Sequence, residues 1–267
     1  MSSNLSVSEL SERGNPVPDT CERYKFTVSY DGTLYWGFQR QKGRRTIQSE
    51  LETALTALGW KETGIISAGR TDSGVHADGQ VFSARLAWRH SPEALRAALN
   101  ARLPQDISIK DVKRVPDNFH ARYDAFSRTY RYRIYFAEVR DPLRDRFRLR
   151  LWPESDLKTL NQAAHILLGE HDFRAFGSPP RKNGTTVRRV IASGWIPEDR
   201  DEIAFEIEAN GFLYHMVRRM VFLQLQWVTD RIDWKTWEDA VLNAKPTHPG
   251  IAPAKGLSLY RVRYEKL

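Results

Sequence analysis

Tyr24-Lys25-Phe26-Thr27-Val28-Ser29-Tyr30-Asp31-Gly32 sets the fold class. Tyr24, Phe26, Val28 and Tyr30 alternate with Lys25, Thr27 and Ser29, the period of a strand with one buried face. Asp31-Gly32 then supplies a turn. Beyond it Ile47, Leu51, Ala54, Leu55 and Leu58 fall at helical spacing, with Thr46 as N-cap and Gly59 as C-terminal stop. Short strands are expected from Gly64 to Ala68 and from Gln80 to Leu86, separated by a glycine-rich loop from Gly69 to Gly79. Ser91-Pro92-Glu93 starts a second helix whose buried stripe is Leu95, Ala98, Leu99 and Leu103, and Pro104 ends it. Ile107, Ile109 and Val112 mark another strand, so this half runs strand, helix, strands, helix, strand, close to a ferredoxin-like arrangement.

The remainder reads similarly. Tyr130, Tyr132, Ile134 and Phe136 predict a strand, Leu157 to Leu168 a helix closed by Gly169, and Ile203, Phe205 and Ile207 a further strand; Val187, Val190 and Ala192 hint at one more. Helices are expected from Phe212 to about Thr229 and from Trp234 to Ala244, then a last strand from Ser258 to Tyr264 with Tyr260 and Val262 inward. The fold class is therefore α+β: two ferredoxin-like, RRM-like halves with abutting, mostly antiparallel sheets and a central basic cleft. The expected division is a mobile tail over 1–22, an N-terminal half over 23–118 carrying the Gly69 loop, and a C-terminal half over 119–267.

Composition narrows the class. Hydrophobic residues at 41% and charged residues at 28% of 267 place the chain with globular proteins rather than disordered ones, and 41 Lys and Arg against 33 Asp and Glu leave a net charge of +8 that attracts polyanions. Nine arginines against four carboxylates between Ala121 and Arg150 supply five of those charges. Arg128, Arg131 and Arg133 interleave there with Tyr130 and Tyr132, a mix suited to phosphate contact and base stacking, or simply to a solvated basic strand. Cys21 is the sole cysteine, which excludes an internal disulfide framework and a thiolate zinc site and fits a reducing cytoplasm. The opening residues lack the basic start and apolar core of a secretory signal, and no stretch approaches a membrane span.

One loop could carry chemistry. In Gly69-Arg70-Thr71-Asp72-Ser73-Gly74-Val75-His76-Ala77 a carboxylate lies among small residues beside an arginine, which favours its ionised form. Asp72 is a candidate nucleophile or base; equally, an Asp two residues before a Gly often only caps a turn. His76 reads as an orienting hydrogen-bond donor. Phosphate-loop, nucleophile-elbow and dinucleotide fingerprints are all missing, which disfavours nucleotide hydrolysis, and the histidines form no ligand pair, so no metal site is expected.

The chain resembles the bacterial tRNA pseudouridine synthases of the TruA type from Tyr24 to its end. The blocks are Tyr30-Asp31-Gly32-Thr33 with Gly37-Phe38-Gln39, Thr46-Ile47-Gln48, the Gly69-to-Ala77 loop with Gly79-Gln80-Val81, and Phe119-His120-Ala121-Arg122 with Tyr130-Arg131-Tyr132. Asn210 to Arg218 and Ala252-Pro253-Ala254 with Gly256-Leu257 complete them. Phe38, Ser73 and Arg219 stand where Trp, Ala and Asn are usual in the family. The resemblance implies isomerisation of uridine to pseudouridine at positions 38, 39 and 40 of the tRNA anticodon stem-loop, without a cofactor, by a cytoplasmic homodimer. It implies that Asp72 is the catalytic carboxylate, Arg218 its ion-pair partner, Tyr130 the ring that stacks on the everted base and Leu257 part of the base pocket. Arg70 would help flip the base or contact phosphate. Arg122, Arg128, Arg131 and the arginines up to Arg150, with Arg181, Lys182, Arg188 and Arg189, would position the ribose-phosphate. A noncatalytic module of two RRM-like halves would use the same surfaces without needing Asp72. A glycosidase would require a second, paired carboxylate that no motif places.

Overall fold

The computed structural model describes residues 21–179, 184–247 and 249–265. Of the expected tail, residues 1–20 lie outside these, as do Arg181 and Lys182, while Glu22 already belongs to the first strand. That strand, β1 (Glu22–Tyr30), buries Tyr24, Phe26, Val28 and Tyr30 as the alternation requires. Phe26 faces Phe82 of the neighbouring strand β3 (His76–Leu86), their rings stacked at 4.6 Å. Between them come α1 (Ile47–Thr56) and the two-residue β2 (Ile66–Ser67). Thr46 caps α1 by accepting from Ser49 N–H, and Ser49 Oγ in turn accepts from Thr46 N–H. The helix ends at Thr56, one turn before Gly59, whose φ of +92° serves the following turn. Then follow α2 (Pro92–Asn100), capped by Ser91, and β4 (Ile107–Arg114).

The rest comprises β5 (Ala125–Phe136), β6 (Leu149–Leu151), α3 (Leu157–His165), β7 (Gly169–Asp172), β8 (Val187–Asp199), β9 (Glu202–Ala209), α4 (Met216–Val228), α5 (Trp234–Leu242) and β10 (Leu257–Tyr264). The strands form a single ten-stranded sheet of order β4-β1-β3-β10-β5-β9-β8-β7, with β2 beside β3 and β6 beside β5. Only β10 with β3 and β5 with β6 run parallel. The sheets expected to abut are thus joined: β10 pairs with β5 along its length and, through Ser258↔His76 and Leu259↔Ala77, with the start of β3. All five helices contribute to one core, through Ile47, Leu95, Leu160, Met220 and Trp237 among others. A small second cluster, Ala68, Val81, Phe119 and Ala121, lies apart from it.

Several expected bounds contract: the strand at Gly64 to Ala68 is only Ile66–Ser67, and the helix from Leu157 ends at His165 rather than Leu168. The loop ends at Val75, because His76 to Gly79 are already strand. The fourth helix starts at Met216 rather than Phe212, since His215 sits at φ +66°, outside the helical region. In β10 the inward residues are Leu257 and Leu259, not Tyr260: a bulge between Leu259 and Arg261 shifts the phase, and the half-buried Tyr260 ring lies 3.8 Å from the Arg131 guanidinium.

Candidate active site

The segment from Gly69 to Val75 is clamped by the turn after β1. Phe38 N–H donates to Thr71 O (3.0 Å), Gly74 N–H and Ser73 Oγ both donate to Tyr35 O, and the Tyr30 hydroxyl meets Thr71 Oγ1 at 2.8 Å. Buried Gln80 donates to Gly69 O (3.1 Å). Two glycines make this approach possible. A Cβ on Gly32 would stand 2.0 Å from Val75 O, and one on Gly37, at φ +87°, 2.7 Å from Thr71 O. The conformational freedom of the opening motif therefore holds the loop. His76 serves the same end. Its Nδ1 accepts Gly32 N–H at 3.0 Å, so this nitrogen has no proton for Asp31 Oδ1 3.1 Å away, and burial pushes the imidazole pKa down. The ring orients the turn through Nδ1, which meets both Gly32 N–H and Asp31.

So held, Asp72 lines a cavity of about 1230 Å³ between the loop, β5 and the approach to α4. Arg218, in the first turn of α4, donates from Nη1 to Asp72 Oδ2 at 3.2 Å and from Nε to Ala252 O at 2.8 Å, while Ala252 N–H returns a bond to Arg218 O. Both side chains are mostly buried, 19% and 13% exposed, so the pair is weakly screened. The cation expected beside Asp72 from sequence was Arg70 as well as Arg218. The structure gives that place to Arg218 alone: Arg70 is exposed on the cavity lining, with no carboxylate among the described residues at ion-pair distance. Burial and the nearby Arg122 both lower its pKa.

Tyr130 and Leu257 line the same cavity, each nearly buried. Burial, then the charges of Tyr30 and Asp72, raise the Tyr130 phenol pKa, so it stays protonated at neutral pH. Phe212 packs edge-on against the Tyr130 ring at 4.9 Å.

The arginine cluster divides. Arg131 is bound by Glu206 and Glu198 and does not line the cavity; Arg133 is held by Glu198 and Asp78. Arg140 pairs with Asp145, Arg144 with Asp201 and Glu202, Arg146 with Asp31 and Arg148 with Glu202. Arg150 donates to carbonyls of Ala137 and Glu138. Arg128 lines the cavity but donates to the carbonyl oxygens of Ala68, Ala125, Asn210 and Arg122, bracing the wall. Of the nine, only Arg122 lines the cavity with neither a carboxylate nor such a set of carbonyls among the described residues. Of the two expected to contact substrate, Arg128 thus lies on the cavity with its guanidinium engaged by carbonyls, and Arg131 lies off its lining between two carboxylates: sequence shows where charges cluster, and tertiary partners set how each is engaged. Arg188 also lines the cavity and donates to carbonyl oxygens of Thr185 and Val187; Arg189 does not line it.

Sequence reasoning missed His215. Its Nε2 lies 3.5 Å from Asp72 Oδ2, and its ring stacks on Tyr214 at 3.7 Å. His215 stands three residues before Arg218 within the Asn210-to-Arg218 block, and that nearness in sequence was an available signal. Among the described residues no group of three or more His, Cys, Asp or Glu could hold a metal, and no helix is long and apolar enough to cross a membrane.

A family model described as tRNA pseudouridine synthase matches residues 27–124 and 163–265. A protein of Listeria monocytogenes serotype 4b named tRNA pseudouridine synthase A is 37% identical over 246 residues, covering 91% of this chain and 99% of that one. Proteins of the same name from Limosilactobacillus fermentum and Lactiplantibacillus plantarum are each 37% identical, over 251 and 252 residues, again across 91% of this chain. With the clamped Gly69-to-Val75 loop, its Asp72 and the facing Arg218 in place, the chain belongs to the TruA family of bacterial tRNA pseudouridine synthases.

Proposed function

We propose that the protein converts uridine to pseudouridine at positions 38, 39 and 40 of the tRNA anticodon stem-loop, with Asp72 as its catalytic carboxylate. The observation carrying this reading is the Asp72–Arg218 pair inside the large cavity, beside Tyr130 and Leu257. Isomerisation breaks the N1–C1′ bond, turns the uracil within the site and joins C5 to C1′; the proton displaced from C5 ends on N1. No oxidant, hydrolysis or cofactor enters that balance. Asp72 either attacks C1′ or removes a ribose proton; both need a carboxylate held in fixed orientation, which the hydrogen bond from Arg218 Nη1 provides. The phenol of Tyr130, kept neutral, offers its ring face to the everted base, and Leu257 walls the apolar side.

The two halves, 23–118 and 119–267, would flank this cavity as a cleft. The strand order supports the division, because β4-β1-β3-β2 and β10-β5-β9-β8 repeat one pattern. Arg70, Arg122 and Arg188 supply cationic lining. The reading includes a cytoplasmic homodimer whose two subunits share one tRNA. Mapping pseudouridine on unmodified tRNA by mass spectrometry should place the product at 38 to 40; product confined to the T-loop overturns the substrate assignment.

Redistribution of the arginines gives a second test. Arg122→Ala should weaken tRNA binding and reduce its logarithmic salt slope by about 1, the value for one lost phosphate contact. Arg131→Ala should leave the slope unchanged, since Glu206 and Glu198 already neutralise that side chain. Equal effects in filter-binding titrations would contradict the assignment.

A further inference from the structure

We infer that His215 is a positioning residue for the reaction: it holds Oδ2 of Asp72 jointly with Arg218, so that Oδ1 is presented to the substrate ribose. Arg218 Nη1 and His215 Nε2 approach the same oxygen, at 3.2 and 3.5 Å, and among the described residues Oδ1 receives no hydrogen bond. One anchor fixes a carboxylate oxygen but leaves the group free to turn about it; a second anchor from another direction removes that freedom. The 3.5 Å separation is longer than a formed hydrogen bond, the relation often found before substrate closes a site.

The backbone is arranged for this contact. His215 occupies the N-cap position of α4 at φ +66°, ψ 0°, yet its side chain makes no capping bond. Left-handed backbone is visited most readily by Gly and Asn, and strain of this kind gathers where geometry serves a site. Tyr214 is fixed by its N–H to Ser178 O at 3.0 Å, and its ring stacks on the imidazole, setting the plane of that ring. Burial lowers the imidazole pKa, Asp72 raises it, and Arg218 and Arg219 lower it further, with a net downward shift. The neutral ring with its proton on Nε2 is the form that donates to Oδ2 without adding a second full cation against the carboxylate.

The test sets backbone fit against reach. Asn suits the left-handed conformation but places its amide where Nδ1 lies; Gln fits the backbone less well but extends its amide towards the place of Nε2. His215→Asn should slow single-turnover pseudouridine formation by about 10- to 100-fold, with the tRNA Kd within about twofold. His215→Gln should stay within about threefold of the parent rate. A purely structural role predicts the opposite order, and Asn matching or exceeding Gln, or a loss confined to Kd, overturns the inference. Thermal unfolding checks that each variant folds. Should Gln fold poorly, His215→Gly, which relieves the backbone, gives the second readout: added imidazole should raise its rate several-fold, and no response overturns the proposal. The inference rests on Asp72 being the catalytic carboxylate. An active Asp72→Asn enzyme removes both readings, whereas an inactive one beside a fully active His215→Asn enzyme removes only this one.

Discussion

Asp72→Asn should abolish pseudouridine formation on unmodified tRNA, a loss on the order of 10⁴-fold or more, with tRNA affinity kept within about threefold. The substitution preserves shape and leaves an amide oxygen for Arg218, so the pocket wall is little changed. It removes the negative charge and lone-pair basicity needed both for attack at C1′ and for proton removal. Binding is spread over the cavity lining and the cationic side chains Arg70 and Arg122, none of which depends on Asp72. Single-turnover assays paired with affinity measurements separate the two quantities. Full activity would dismiss the catalytic role and favour a noncatalytic RNA-binding module.

Arg218→Lys should be almost as damaging, lowering the single-turnover rate on the order of 10²- to 10³-fold, the range for loss of a preorganised charged donor. The guanidinium spans two acceptors at once, Asp72 Oδ2 through Nη1 and Ala252 O through Nε. An ammonium on a flexible stem carries the same charge but lacks that fork, so it cannot hold both in fixed geometry. Because Ala252 is buried, its carbonyl would lose a partner, and stability should fall by about 1–3 kcal/mol. Chemical denaturation measures the second effect. A lysine variant at parental rate would show that charge alone suffices and that the two-acceptor geometry is incidental.

The parts of the fold written in local sequence were legible without coordinates. Alternation from Tyr24 to Tyr30 gave β1, and Thr46 and Ser91 marked helix starts because a side-chain cap acts on the next few N–H groups. The loop bearing Asp72 stood out through its small residues and its resemblance to a known family. What escaped depends on distant partners. Arg131 looked available because Glu198 and Glu206 lie 67 and 75 residues further along the chain. The placement of β10 between β3 and β5, and the bulge that turns Tyr260 out of phase, arise from pairing geometry that no periodicity encodes. His215 was overlooked because left-handed backbone at a non-glycine residue leaves no mark in composition.

The seating of β10 has a consequence for how this enzyme comes into being. Until residues 257 to 264 have emerged from the ribosome, the start of β3 and the flank of β5 are both unsatisfied sheet borders, open to pairing with another nascent chain. The same short strand brings Leu257 to the cavity, so protection from aggregation and completion of the catalyst arrive in a single late event. A chain cut short of Leu257 lacks both the strand that covers those borders and that wall of the cavity.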